Sequence, residues 1–215
     1  MIALNGTSSS GKSTLAAAIQ DRLGAQGQCW VIVGIDDFLG KVPAPWMRYR
    51  EAGAHAEEGV SFARVGDEIV FRAGPVGRAI LSAYRGTVAA LARSGLNVIV
   101  DEVVLDEEAW AQWESELGGL DPYWVRVDCP LEVCEQRERE RGDRLQGLAR
   151  SQAAFVHRAA RYRLSVDTSA AGARALAEVV VAHYLARGAT PSDGVGEGDG
   201  GLPTRLPPIS FVSLG

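Results

Sequence analysis

Gly6-Thr7-Ser8-Ser9-Ser10-Gly11-Lys12-Ser13 satisfies the pattern G-x-x-x-x-G-K-[ST] at every fixed position. Glycines in such a loop let successive backbone N–H groups curl around phosphate oxygens, and a helix opening at Lys12 would direct its N-terminal dipole at the same anion. Lys12 is then placed to neutralise charge on the β- and γ-phosphates, and the Ser13 hydroxyl to ligate Mg2+. Gly6, Thr7, Ser8, Ser9, Ser10, Gly11, Lys12, Ser13 and Thr14 are accordingly the expected contacts of ATP. A triphosphate loop leaves the reaction open, because motors, GTPases and kinases share it. Other residues must decide.

Two sets of acids are candidates. The run Val98-Ile99-Val100-Asp101-Glu102 is a β-branched segment ending in a carboxylate, the expected form of the second acidic element around Mg2+, so Asp101 joins Ser13 as a candidate metal residue. Gly34-Ile35-Asp36-Asp37-Phe38 places two carboxylates just past an apolar run. A carboxylate near the γ-phosphate can take the proton of an attacking hydroxyl, and Asp36 is the preferred base, with Asp37 in reserve and helix capping the competing role for either. The charged run from Glu135 to Arg144 reads first as a solvated helix laced with i,i+4 pairs. Arg137 and Arg141, however, share one helical face, Arg144 lies three residues further, and Gly142 can break the helix, so the three arginines can fold over a bound nucleotide. Arginines closing on a transferring phosphate stabilise its charge and exclude water, and Arg137 and Arg141 are therefore counted with Asp36 and Lys12 as catalytic candidates, Arg137 and Arg144 also as nucleotide contacts. His55, His157 and His183 have neither metal-ligand spacing nor a paired nucleophile and read as structural or surface residues.

These side chains need a scaffold. Apolar runs of strand length at 1–5, 30–35, 96–101, 124–128 and 164–167 alternate with helical periods at 12–23, 77–93, 131–141, 148–161 and 170–187. That alternation predicts an α/β fold with a parallel sheet wrapped by helices, and continuously apolar strands such as Val31-Ile32-Val33 suit burial on both faces. Acids after the strands fall where open parallel sheets bind ligands, although Asp128 reads better as a helix cap. Residues 39–74 are too long for a plain crossover and carry Trp46, Met47, Tyr49 and Phe62, which marks a substrate-recognition region.

Composition narrows the classes. A chain of 215 residues supports one core, read as a domain over 1–187 followed by a Gly/Pro-rich tail over 188–215 with little to bury and one apolar run at 206–212. A net charge of -5 offers no field for nucleic acid. Neither a signal peptide nor a membrane span is evident, so a cytoplasmic protein with no membrane partner is expected. Three cysteines without a Cys-x-x-Cys pair suggest reduced thiols. A homo-oligomer is allowed but nothing demands one.

Taken together, the opening from Ile2 to Ser13, the Gly34-Ile35-Asp36 step, Val98 to Val103, the segment Arg137 to Arg144, and then Gln152, His157 and Val166-Asp167-Thr168 resemble the chloramphenicol phosphotransferase family, P-loop kinases related to shikimate and adenylate kinases. The likeness spans roughly 1–185 and fades over 39–74. It implies a P-loop kinase fold with a five-stranded parallel sheet and an Arg-rich lid, Asp36 as base, lid arginines on phosphate, and phosphorylation of a hydroxyl of a small molecule, an antibiotic such as chloramphenicol or a related compound. Kinases of small metabolites of the shikimate, gluconate or nucleotide type are the alternative, for which Arg48, Arg50, Arg64 and Arg72 could supply a cationic pocket. A nucleotide-dependent switch is the competitor from another class. The absence of an Asn-Lys-x-Asp guanine signature weighs against it.

Overall fold

The computed structural model describes residues 1–49, 51–66, 68–142, 145–158 and 161–187. Strand β1 (Ile2–Asn5) runs into the phosphate loop and helix α1 (Lys12–Gly24), followed by β2 (Trp30–Gly34) and the short α2 (Ile35–Leu39). A 3₁₀ turn (Ala44–Trp46) leads to β3 (Met47–Arg48), β4 (Val60–Val65), β5 (Glu68–Ala73) and α3 (Pro75–Arg93). Then come β6 (Asn97–Glu102), α4 (Glu107–Glu116), β7 (Tyr123–Asp128), α5 (Leu131–Arg141), α6 (Leu148–Ala153), β8 (Leu164–Asp167) and α7 (Ala173–Ala186).

Five strands form one parallel sheet in the order β2-β6-β1-β7-β8. From the central β1 the chain crosses first to one side and later to the other, so the phosphate loop lies at the crevice where such sheets bind ligands. Side chains alternate across the strands and divide the core in two. Ile2, Leu4 and Ile99 pack with Leu15, Ile19 and Val180 under α1 and α7, while Ala3, Val98 and Val100 pack with Tyr84, Val88 and Trp113 under α3 and α4.

Three features differ from the sequence expectation. Residues 39–74 contain a second sheet, ordered β3-β4-β5, in which Phe62 lies opposite Phe71 in the antiparallel β4–β5 pair. Helix α4 was not anticipated, although Asp106 caps it by accepting from the Ala109 N–H at 2.7 Å and Trp110 and Trp113 are both buried. The helix expected over 148–161 stops at Ala153; the chain goes on in turns that bring the Val156 carbonyl to the Asn5 amide at 3.0 Å. The 188–215 tail lies outside the described residues. Among the described residues no helix is long and apolar enough to cross a membrane.

Candidate active site

The loop after β1 is shaped by close approach. A Cβ on Gly6 would stand 2.5 Å from the Val127 carbonyl oxygen of β7, so the strand-to-loop exit admits only glycine without rearrangement. Ser9 adopts φ 59°, unusual for a residue with a side chain. The hydroxyls of Ser8, Ser9 and Ser10 are buried without a protein hydrogen-bond partner, as in a polar cradle built for a guest with many acceptors. Lys12 is buried on the loop, its ammonium donating to the Thr7 carbonyl at 2.7 Å. Thr14 lies exposed on the first turn of α1 and takes no part in lining the cavity described below.

Strand register explains the acids. β6 lies between β1 and β2, with Asp101 opposite both Leu4 and Gly34. Asp101 shares its face with Ile99, the α1 side, and its carboxylate accepts from the Ser13 hydroxyl at 2.5 Å. Ser13, through its hydroxyl, and Asp101, directly or through water, are the residues that would hold a divalent cation together with phosphate oxygens. No cluster of three His, Cys, Asp or Glu side chains that could hold a metal is present among the described residues. Glu102, one residue on, points to the opposite face beside Tyr84 and Arg85. Its burial pushes its carboxyl up to about 7.

Asp36 and Asp37 follow β2 in α2, both on the cavity that holds the loop. The two are not equivalent: the Asp37 carboxylate accepts from the Gly34 N–H at 2.8 Å and so holds the helix start. The capping role thus falls to Asp37.

The arginines also separate. Arg137 donates to the Thr168 hydroxyl at 3.2 Å and the Thr168 carbonyl at 3.1 Å, and reaches the Ser9 carbonyl and the Cys129 sulfur at 3.4 Å each. It clamps the phosphate loop to the β8–α7 connection. Arg141 instead lines the cavity. It is the last residue of α5, and Gly142 at φ 66° ends the helix as expected. Arg144 lies outside the described residues.

The cavity, about 610 Å3, joins Lys12, Ser13, Asp36 and Asp101 to a wall of Leu39, Met47, Tyr49, Phe62, Phe71 and Leu105. Phe62 and Phe71 pack at 5.0 Å between ring centroids and Tyr49 meets Phe62 at 5.8 Å. Of the aromatics singled out in residues 39–74, Trp46 alone is absent from the wall, stacked instead on His55. Phe71 joins them through the β4–β5 pairing, which sets it opposite Phe62. Arg48 pairs with Glu57 at 3.3 Å, Arg64 donates to the Gln146 carbonyl at 2.7 Å, and Arg72 is exposed; none lines the cavity. Arg50 lies outside the described residues.

Beneath the loop, Asn5 binds its surroundings at every polar atom: its amide donates to Tyr162 and Val156, and its oxygen accepts from the Val104 N–H. Tyr162 in turn meets His157 at 2.7 Å, and burial together with the nearby Arg126 guanidinium lowers His157 to about 4. His157 is a neutral structural residue, as anticipated. His55 packs on Trp46 and His183 is exposed.

A central phosphate loop, a five-stranded parallel sheet and an acid pair at its crevice define the fold of P-loop kinases. Two solved structures share it: the APS kinase of Mycobacterium tuberculosis in complex with AMPPNP and APS, at TM-score 0.56 and 18% identity over 86% of this chain and 96% of that one, and the shikimate kinase of Acinetobacter baumannii, at TM-score 0.51 and 15% identity over 86% and 93%. Residues 1–185 match the family described as chloramphenicol phosphotransferase-like protein, and the chain belongs to that family. A Mycobacterium tuberculosis (strain H37Rv) protein provisionally named an O-phosphotransferase is 32% identical over 195 residues, 86% of this chain and 82% of that one.

Proposed function

We propose that this protein is a cytoplasmic O-phosphotransferase that moves the γ-phosphoryl group of ATP, with Mg2+, onto a hydroxyl of a neutral, largely apolar small molecule, an antibiotic such as chloramphenicol or a related compound. The observation that carries the reading is that one cavity is lined both by phosphate-loop residues with Asp36 and by the Phe62–Phe71 wall. Family membership supports phosphoryl transfer as the reaction class. An anionic metabolite as acceptor is disfavoured, since Arg48, Arg64 and Arg72 turn elsewhere and Lys12 and Arg141 are the cations among the described lining residues.

The residues divide the work. The loop N–H groups and Lys12 bind and orient the triphosphate, and Ser13 with Asp101 holds the cation, which when bound offsets phosphate charge. The apolar wall seats the acceptor and excludes water. Asp36 accepts the hydroxyl proton as the oxygen attacks, and Arg141 donates to the equatorial phosphoryl oxygens.

Asp36→Asn keeps the shape and removes the base. AMPPNP affinity is expected to persist while transfer falls by roughly 10²- to 10⁴-fold. The acceptor is found by screening hydroxyl-bearing antibiotics and metabolites for ATP consumption, with mass spectrometry for one added phosphate. Normal transfer by Asp36→Asn would refute the base assignment, and phosphorylation confined to anionic metabolites would refute the acceptor class.

A further inference from the structure

One phosphate-loop donor is already engaged. The Ser8 N–H donates to Gln152 Oε1 at 2.6 Å, with both residues buried at 8% exposure and both lining the cavity. Because the donor is a backbone N–H, the carboxamide must present its oxygen. If the loop takes a phosphate oxygen through this N–H, as backbone N–H groups of such loops do, the Gln152 oxygen holds the place of that oxygen. A phosphate oxygen cannot take the same N–H without displacing it.

The backbone behind Gln152 is pinned. Gly147 and Ala149 donate their N–H groups to the buried Glu138 carboxylate at 3.0 and 2.7 Å. Ser151 donates to the Gly147 carbonyl at 2.9 Å and accepts from the Ile69 N–H of β5 at 2.7 Å. Helix α6 is thereby held between α5 and the acceptor wall, and the terminal torsion of Gln152, broad and roughly two-fold, is the soft coordinate. Half a turn about it replaces the oxygen with the NH2 group, a donor.

We propose that Gln152 exchanges roles with phosphate: its carboxamide oxygen closes the Ser8 N–H in the empty loop, and after a half-turn its NH2 donates to the phosphate oxygen that takes that N–H. Gln152 thus becomes a direct contact of the phosphate, and the empty loop keeps a neutral stand-in rather than an unsatisfied donor. The proposal rests on the reading that the loop takes a nucleoside triphosphate and is independent of the acceptor.

The test uses the full chain, Mg2+ with AMPPNP, and tripolyphosphate as a base-free probe, read by calorimetry and by amide resonances. Gln152→Glu keeps the shape but offers only an anionic acceptor in either orientation, so affinity for both probes is expected to fall about 30- to 100-fold, the size of a lost hydrogen bond to a charged group. In the wild type the Gln152 side-chain NH2 resonances shift on saturation with either probe. Gln152→Met removes acceptor and donor together, so the Ser8 amide of the empty protein loses protection from exchange and regains it with tripolyphosphate. Wild-type affinity in Gln152→Glu, or NH2 resonances unmoved at saturation, overturns the proposal, and the wild-type resonances decide if a variant fails to fold. Failure of the wild type to bind either probe overturns the nucleotide reading and this proposal with it.

Discussion

At the scale of single residues, the two arginines that looked alike on one helix face do different things. Arg137 spends its guanidinium on Thr168 and the Ser9 carbonyl, whereas Arg141 reaches the cavity. Removing Arg141 should leave the fold untouched and cost about 10²- to 10³-fold in turnover, as for other donors aimed at developing charge. Removing Arg137 strips several hydrogen bonds from a charged donor and should lower Tm by about 5 °C, with weaker nucleotide binding because the loop loses its clamp. Thermal melts and AMPPNP titrations of Arg137→Ala and Arg141→Ala check both. Full turnover in Arg141→Ala would remove it from the mechanism.

At the scale of elements, the charged helix α5 is less uniformly solvated than its composition implies. Arg139 and Glu140 are exposed, but Glu138 is 1% exposed and receives the N–H groups of Gly147 and Ala149, which start α6. A buried carboxylate that satisfies two backbone donors cannot be truncated cheaply, because the donors stay buried. Glu138→Ala should therefore cost about 2 to 4 kcal/mol, while Glu140→Ala stays within about 0.5 kcal/mol. Urea unfolding of the pair measures the difference. Equal stabilities would mean that α6 is not held through Glu138.

At the scale of the whole molecule, two titrating groups near the phosphate-loop strand, the half-buried His157 and the buried Glu102, oppose one another. His157 is lowered to about 4 from an ordinary value near 6.5, so the unfolded chain binds its proton first and stability is lost as pH falls from about 6.5 towards 4. Glu102 is raised to about 7 from 4.5, so the folded chain holds the extra proton and stability is lost as pH rises from 4.5 through 7. Between pH 4.5 and 6.5 the slopes have opposite signs and the Tm profile should be shallow. Glu102→Gln removes the second slope and should leave a Tm that falls on the order of 5 °C on acidification across that window. His157→Gln should tilt the profile the other way. A Glu102→Gln profile parallel to the wild type would show that Glu102 does not titrate there.

The phosphate loop, the five core strands and the aspartates at their ends were legible from sequence because each is a local pattern. A glycine-lysine loop between an apolar strand and a helix is a specific local pattern, and apolar runs of five residues leave few alternatives to a buried parallel strand. Met47, Tyr49 and Phe62 were legible too, as aromatic and apolar residues in a segment too long to be a connector. The remainder depended on contacts between distant segments. Asp36 and Asp37 are adjacent in sequence, and the folded backbone is what gives Asp37 the Gly34 N–H as a cap. Strand alternation sends Asp101 to Ser13 and Glu102 to Tyr84, and the β4–β5 pairing brings Phe71 onto the wall. Gln152 stood out in the sequence only as a point of family likeness. Its meeting with the Ser8 N–H, 144 residues away, is a product of tertiary packing, since no local rule links a helix residue to a donor on another element.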